Sequence, residues 1–179
     1  MGIAHHLGWA VVVTASGDHE VVDRRRIELI EPGMPTAPIE HEAKGLNDHA
    51  AATMVAEARA SALRATSASL DQLASSLPRP ITSVSLRAWP LEFPDDIAVQ
   101  RRSPYDSRAD SVMYCQVISK CAHKRGWAVH LFDAKDVEAQ AARILGERAD
   151  EVLYGPRATL GPPWTKDHRM ALASTILAS

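Results

Sequence analysis

The run Trp9-Ala10-Val11-Val12-Val13 is the strongest constraint on what this chain can fold into. Five consecutive apolar residues leave a strand no polar face, so both faces must be covered. Such a strand sits inside a sheet with other elements packed on either side. The remaining sequence alternates strand-like and helix-like patterns, which supply those elements.

Gly2 to Val11 reads as a strand entering the core, and Ser16-Gly17-Asp18 as a hairpin turn. From Glu20 to Ile30 the chain stays extended, with Ile27 and Leu29 alternating against Arg26 and Glu28. The charged kink Asp23-Arg24-Arg25 is a place for this stretch to split into two strands, giving three antiparallel strands from one segment. Pro32 to Pro38 reads as a loop. Asn47 or Asp48 caps a long helix running to about Leu77, where Pro78 and Pro80 stop it. Leu63, Leu70, Leu73 and Leu77 fall near one face of it, and its alanines permit close approach.

Ile81 to Trp89 is the next strand, and a loop with Pro90, Pro94 and Pro104 leads to a helix near Ala109–Lys124. Tyr114, Val117, Ile118 and Cys121 give that helix an apolar stripe at i, i+3, i+4 and i+7, and Gly126 ends it. Trp127 to Phe132 is a strand. Asp133 caps a short helix whose Val137, Ala141, Ile144 and Leu145 share a face and which Gly146 terminates. Pro162-Pro163-Trp164-Thr165 introduces the last helix. The order is three β, then α, β, α, β, α, α, an α/β chain with a mixed five-stranded sheet flanked by helices. Its later βαβ units require parallel strands and right-handed crossovers.

The chain has 179 residues, enough for one complete core, and is read as a single domain over 1–179. Its 46% apolar and 23% charged content is that of an ordinary globular protein. The formal charge of −2 provides no global field toward nucleic acid or anionic membrane. No stretch approaches the roughly 20 apolar residues of a membrane span. Leu7–Val13 lacks a basic n-region, and His6 breaks the myristoylation pattern. The expected location is cytoplasmic, with no membrane partner. Cys115 and Cys121 lie six apart in one helix, roughly 9 Å between Cα atoms and beyond disulfide reach, and read as buried apolar residues.

The element order is similar to that of the ribonuclease H-like fold, and within it the chain resembles RuvC-type Holliday-junction resolvases. Gly2-Ile3 followed by Gly8-Trp9-Ala10-Val11 resembles their first strand, with a shorter intervening loop. Val129 through Val137 resembles their fifth strand and following helix. Gly146-Glu147-Arg148-Ala149-Asp150 resembles their Gly-x-Gly-Arg-Ala motif with a residue missing. Asp167 through Ala173 resembles their final Asp-x-x-Asp-Ala-Leu-Ala helix. The resemblance implies phosphodiester cleavage with two Mg²⁺ ions on clustered carboxylates. The family's first-strand Asp falls here at Ala4, its fourth-strand Glu near Arg87-Ala88, and the second acid of the final helix at Met170. Asp167 alone remains. One carboxylate of four cannot hold two Mg²⁺ ions, so the family's chemistry is expected to be absent and no cofactor is implied.

Other residues offer other chemistry. His5, His6, Asp167 and His168 converge if the first strand lies beside the last helix, and would suit a divalent metal such as Zn²⁺ or Mn²⁺. Adjacent strand residues point to opposite faces, so His5 and His6 both ligate only if the strand ends there. Asp167 also has a structural reading, as a first-turn acid two residues after Thr165. Glu92, Asp95 and Asp96 follow the fourth strand and stand either in place of the missing Glu or as solvated loop acids. Between Arg101 and Arg125, six cations (Arg101, Arg102, Arg108, Lys120, Lys124 and Arg125) face Asp106 and Asp110, a local charge of +4. With the cluster Arg24-Arg25-Arg26 they are candidates for phosphate contact or a solvated face. Trp89 and Tyr105 read as stacking platforms for bases or as packing residues.

The expectation is a degenerate RuvC-like pseudo-nuclease that binds nucleic acid, branched or structured, or a protein partner. Its binding residues would be Arg24, Arg25, Arg26, Arg101, Arg102, Lys124 and Arg125. The alternative is a metal-dependent phosphodiesterase or nuclease using Mg²⁺, Mn²⁺ or Zn²⁺ at the His/Asp set, with Asp167 catalytic. The resemblance also allows a homodimer.

Overall fold

Five strands, Gly2–His5 (β1), Trp9–Ala15 (β2), Val21–Glu28 (β3), Ser83–Arg87 (β4) and Ala128–Phe132 (β5), form one sheet in the order β3-β2-β1-β4-β5. In this computed structural model, which describes residues 1–178, β1, β2 and β3 run antiparallel, β4 lies parallel to β1, and β5 parallel to β4. The sheet is mixed, as expected.

Helices Asp48–Ser76 (α1) and Asp106–Lys124 (α3) cover one face. Ile3, Ala10, Val12, Val84 and Leu86 meet Leu70, Leu73, Tyr114 and Ile118 there. Fully burying a leucine such as Leu70 or Leu73 stabilises by about 2 kcal/mol. The other face carries Val137–Leu145 (α4) and Lys166–Ile176 (α7). Ala4, Val11, Val13 and Phe132 pack there against Trp164, Ala171 and Leu172. The run Trp9–Val13 thus sends alternate side chains into two cores, which is why it holds no polar residue. Three short helices complete the chain: Ile97–Gln100 (α2), Ala149–Tyr154 (α5) and Pro156–Leu160 (α6).

Helix α7 lies almost in contact with the β1 backbone. A Cβ built at Gly2 would stand 1.9 Å from the carbonyl oxygen of Ala171 and 2.5 Å from Ser174 Oγ. Only glycine permits this approach. At the other end of the chain's first crossover, Asn47 Oδ1 accepts from the backbone N–H of Ala50 and caps α1, while Leu77 turns extended just before Pro78.

Several boundaries differ from the sequence expectation. Gly2 to Val11 is not one strand: the chain turns at His6–Gly8, Gly8 takes φ +85°, and the backbone N–H of His6 donates to the Trp9 carbonyl. Conversely, Asp23-Arg24-Arg25 does not split β3. Its charges lie on two half-exposed faces of an edge strand, where each finds a partner, so they cost the strand nothing. Three antiparallel strands result, but with the break moved upstream. Asp133 is not the N-cap of α4. That position belongs to Asp136, and the Asp133 carboxylate accepts instead from the N–H of Lys135. Ile144 is 60% exposed rather than packed with Val137 and Ala141. Helix α3 begins three residues earlier than expected, and α2, α5 and α6 fill stretches that carry too few apolar residues to show a period. Among the described residues no helix is long and apolar enough to cross a membrane.

Candidate functional site

Residues at the end of β1 illustrate how strand alternation sorts side chains. Ile3 and His5 project toward α3, and Gly2 and Ala4 toward α7. His5 therefore enters a pocket on α3, with Nε2 2.9 Å from Ser111 Oγ and 3.5 Å from Cys115 Sγ. Burial lowers its pKa from the ordinary 6.5 to about 4. The positive charges of Arg87 and His6 add to that effect, and the Ser111 contact opposes it. Cys115 is likewise buried, its thiol pushed up to about 12. A neutral imidazole beside a neutral thiol is a packing arrangement, not the ion pair of an activated cysteine.

His6 sits past the last residue of β1 and points the other way. Its Nε2 lies 3.1 Å from Asp167 Oδ2, in the first turn of α7. Its ring stacks on Trp9 at 4.1 Å, and the Arg26 guanidinium lies 4.4 Å from the same indole while pairing with Glu28. The result is a surface strip running Glu28, Arg26, Trp9, His6, Asp167 across β3, β2, the turn after β1 and the start of α7.

His168 does not join this strip. Its Nδ1 accepts from the backbone N–H of Thr165 at 3.2 Å and lies 2.9 Å from the Thr165 hydroxyl, closing the N-terminus of α7. Burial, with the charge of Arg24 adding to it, lowers its pKa and keeps the imidazole a neutral acceptor, against an opposing effect of Asp167. Of the four residues proposed to converge, the structure brings His6 and Asp167 together and turns His5 and His168 away. One carboxylate and one imidazole fall short of the ligands that Zn²⁺ or Mg²⁺ takes. Among the described residues no three His, Cys, Asp or Glu side chains gather into a metal-binding group.

The neighbours of Asp167 do not repair that deficit. Gly2 pairs with Ser85 across β1 and β4, Ala4 is buried in the α7-side core, and Arg87 ends β4 exposed. Neither Ala4 nor Arg87 supplies a carboxylate to join Asp167. Asp96 caps α2 by accepting from the N–H of Ala98, and Glu92 and Asp95 are exposed loop residues.

Most of the cations assigned to phosphate hold the protein's own chain. Arg24 donates to the carbonyls of Leu160, Gly161 and Pro163 and so fastens the segment before α7 to β3. Arg25 pairs with Asp23 and reaches Ser76 Oγ at 2.9 Å. Arg101 donates to the carbonyls of Ala43 and Leu46 and pairs with Asp48 at 3.0 Å. Arg125 donates to the carbonyls of Cys121 and Ser67 and pairs with Asp71. Arg26 pairs with Glu28 but keeps a largely exposed side chain. Arg102 and Lys124 are exposed. Tyr105 meets Phe93 edge-on, and Trp89 is partly buried against the core.

One buried acid has a role that a count of charges does not reveal. Asp110 accepts from the N–H groups of Ile39 at 3.0 Å and Glu40 at 2.9 Å, pinning a π-helical turn at Pro38–Glu42. Burial raises its pKa to about 6 against the lowering effect of those two bonds, with Glu42 and Glu40 adding to the rise. Tyr114, one turn on, donates to the Thr36 carbonyl. The signal was available: Asp110 lies four residues before Tyr114, on the apolar stripe of α3, where a carboxylate needs partners.

No protein-family model matches the chain, and neither the curated proteins nor the solved structures contain a significantly similar one.

Proposed function

We propose that this chain is a catalytically degenerate ribonuclease H-like protein of the RuvC type, a pseudo-nuclease that binds nucleic acid or a protein partner without cutting. The sheet order, three antiparallel strands extended by two parallel ones with the last helix lying over β1, supports the fold reading. The observation that carries the functional reading is the pairing of Asp167 with His6, with only the methyl of Ala4 on the same face of β1. The one acid left from the family's set is already engaged with an imidazole, and among the described residues no group of three metal-ligating side chains gathers.

Of the cations first assigned to phosphate, Arg102, Lys124 and Arg26 retain exposed side chains for such contacts. The test is fluorescence anisotropy of a labelled four-way DNA junction at two salt concentrations, with and without EDTA. The expected outcome is saturable, salt-sensitive binding that prefers the junction to duplex, is indifferent to EDTA and leaves the strands intact. Cleavage that requires Mg²⁺ or Mn²⁺ would contradict the proposal and favour the metal-dependent phosphodiesterase. Absence of binding at low salt would leave the protein-partner form.

A further inference from the structure

The order β3-β2-β1-β4-β5 leaves two open edges, β3 and β5, and they differ in chemistry. β3 carries Asp23, Arg24, Arg25, Arg26 and Glu28, and a register shift between Thr14 and Ala15 disturbs its pairing. Charge and irregularity are how natural sheets protect an edge from unwanted pairing. β5, Ala-Val-His-Leu-Phe, has no Asp, Glu, Lys, Arg or Pro. Leu131 is 45% exposed, and a groove of about 300 Å³ lined by Ser85, His130, Phe132 and Leu177 runs beside the strand on its α7 side.

Two hydrogen bonds fix which backbone groups face outward. The N–H of Ala128 donates to the Thr82 carbonyl, and the carbonyl of Phe132 accepts from Ala88. In a parallel ladder alternate residues turn both groups to the same side. Ala128, His130 and Phe132 therefore face β4, and Val129 and Leu131 turn their N–H and C=O to the open edge. Neither makes a hydrogen bond there among the described residues.

Four unpaired backbone groups on alternate residues call for another strand, and this set is self-complementary. Place a second copy antiparallel on a two-fold axis through His130. Val129 then faces the partner's Leu131, and Leu131 the partner's Val129, each as a doubly hydrogen-bonded pair. All four groups of each copy are used, with no residue left over. The exposed Leu131 side chain comes against the partner's Val129 on the same sheet face, and no fixed charge on the strand opposes its copy. We propose that β5 is a homodimerisation edge, joining two sheets into one of ten strands with His130 opposite the partner's His130. The strands are short and the contact is small beside the ~1,200 Å² of standard stable interfaces, so the dimer is weak and its population rises with protein concentration.

The inference is independent of whether the chain binds nucleic acid. Sedimentation velocity of the full chain over a concentration series tests it, with two variants at the exposed axis residue. The wild type is expected to shift from monomer to dimer as concentration rises. His130→Glu and His130→Lys each place like charges about 4.5 Å apart between Cα atoms and are expected to weaken the dimer at least about five-fold. An equimolar mixture of the two variants is expected to regain it, because Glu then faces Lys. A wild type that stays monomeric at millimolar concentration overturns the proposal. A dimer that neither variant weakens, or a mixture that stays monomeric while both variants remain folded by circular dichroism, also overturns it.

Discussion

The two faces of β1 carry neighbouring histidines to opposite fates. Toward α3, His5 is held neutral by burial among Ser111, Cys115 and the charge of Arg87. Toward α7, His6 stays at the surface, bound to Asp167 and stacked on Trp9. The first face is a core that tolerates one polar group because Ser111 and Cys115 satisfy it. The second holds one acid, Asp167, paired with His6, and among the described residues no metal-binding group of three side chains gathers. Adjacent residues of like chemistry therefore do not form a site merely by being adjacent. The pleat decides which of them can meet a third group.

The largest effect that sharpens this contrast is steric. Gly2→Ala drives a methyl into the Ala171 carbonyl and forces α7 away from the α7-side face of β1. We expect a loss of 3 kcal/mol or more, about the upper range for overpacking, read from urea unfolding. Full retention of stability would mean that α7 is not seated on β1 as described.

A smaller effect is electrostatic and confined to the other face. The unfolded chain protonates His5 below its ordinary 6.5, while the folded protein resists until about 4. The stabilisation this gives is present above pH 6.5 and is lost as pH falls toward 4, by about 3 kcal/mol in all. Asp110 acts with the opposite sign: raised from 3.8 to about 6, its contribution is complete below pH 3.8 and lost as pH rises through 6. The two slopes offset each other between pH 4 and 6. Relative to wild type, His5→Gln should become progressively more stable as pH falls across that window, and Asp110→Asn progressively less. Denaturant titrations at pH 4, 5, 6 and 7 check both, and parallel profiles for all three proteins would refute the assignment.

Much of the frame was legible because it follows from period and punctuation. Asn47, Pro78 and Gly126 mark helix ends by capping, by missing an N–H and by φ +73°. Trp9–Val13 announces a strand covered on both faces. The Asp23–Arg25 charges misled because an edge strand accepts polar residues on both faces, a context that depends on the sheet order. The candidate site was legible only in part. That Asp167 and His6 lie close followed from the last helix meeting the first strand. The diversion of His168 to Thr165 required the geometry of the helix start. The use of Arg24, Arg101 and Arg125 as ties to carbonyls required the fold, since all of these carbonyls but that of Cys121 lie 55 to 139 residues away. A local charge of +4 says nothing of where its guanidinium groups are spent.

The proposal that this chain is a pseudo-nuclease without a working metal centre is tested most directly by titrating Mn²⁺ into ¹⁵N-labelled protein. Paramagnetic broadening is read at His6, Asp167, Ala4 and Arg87. The account predicts no saturable broadening at these residues up to millimolar Mn²⁺. Broadening that saturates at one equivalent and disappears in Asp167→Asn would contradict it and restore the metal-dependent enzyme.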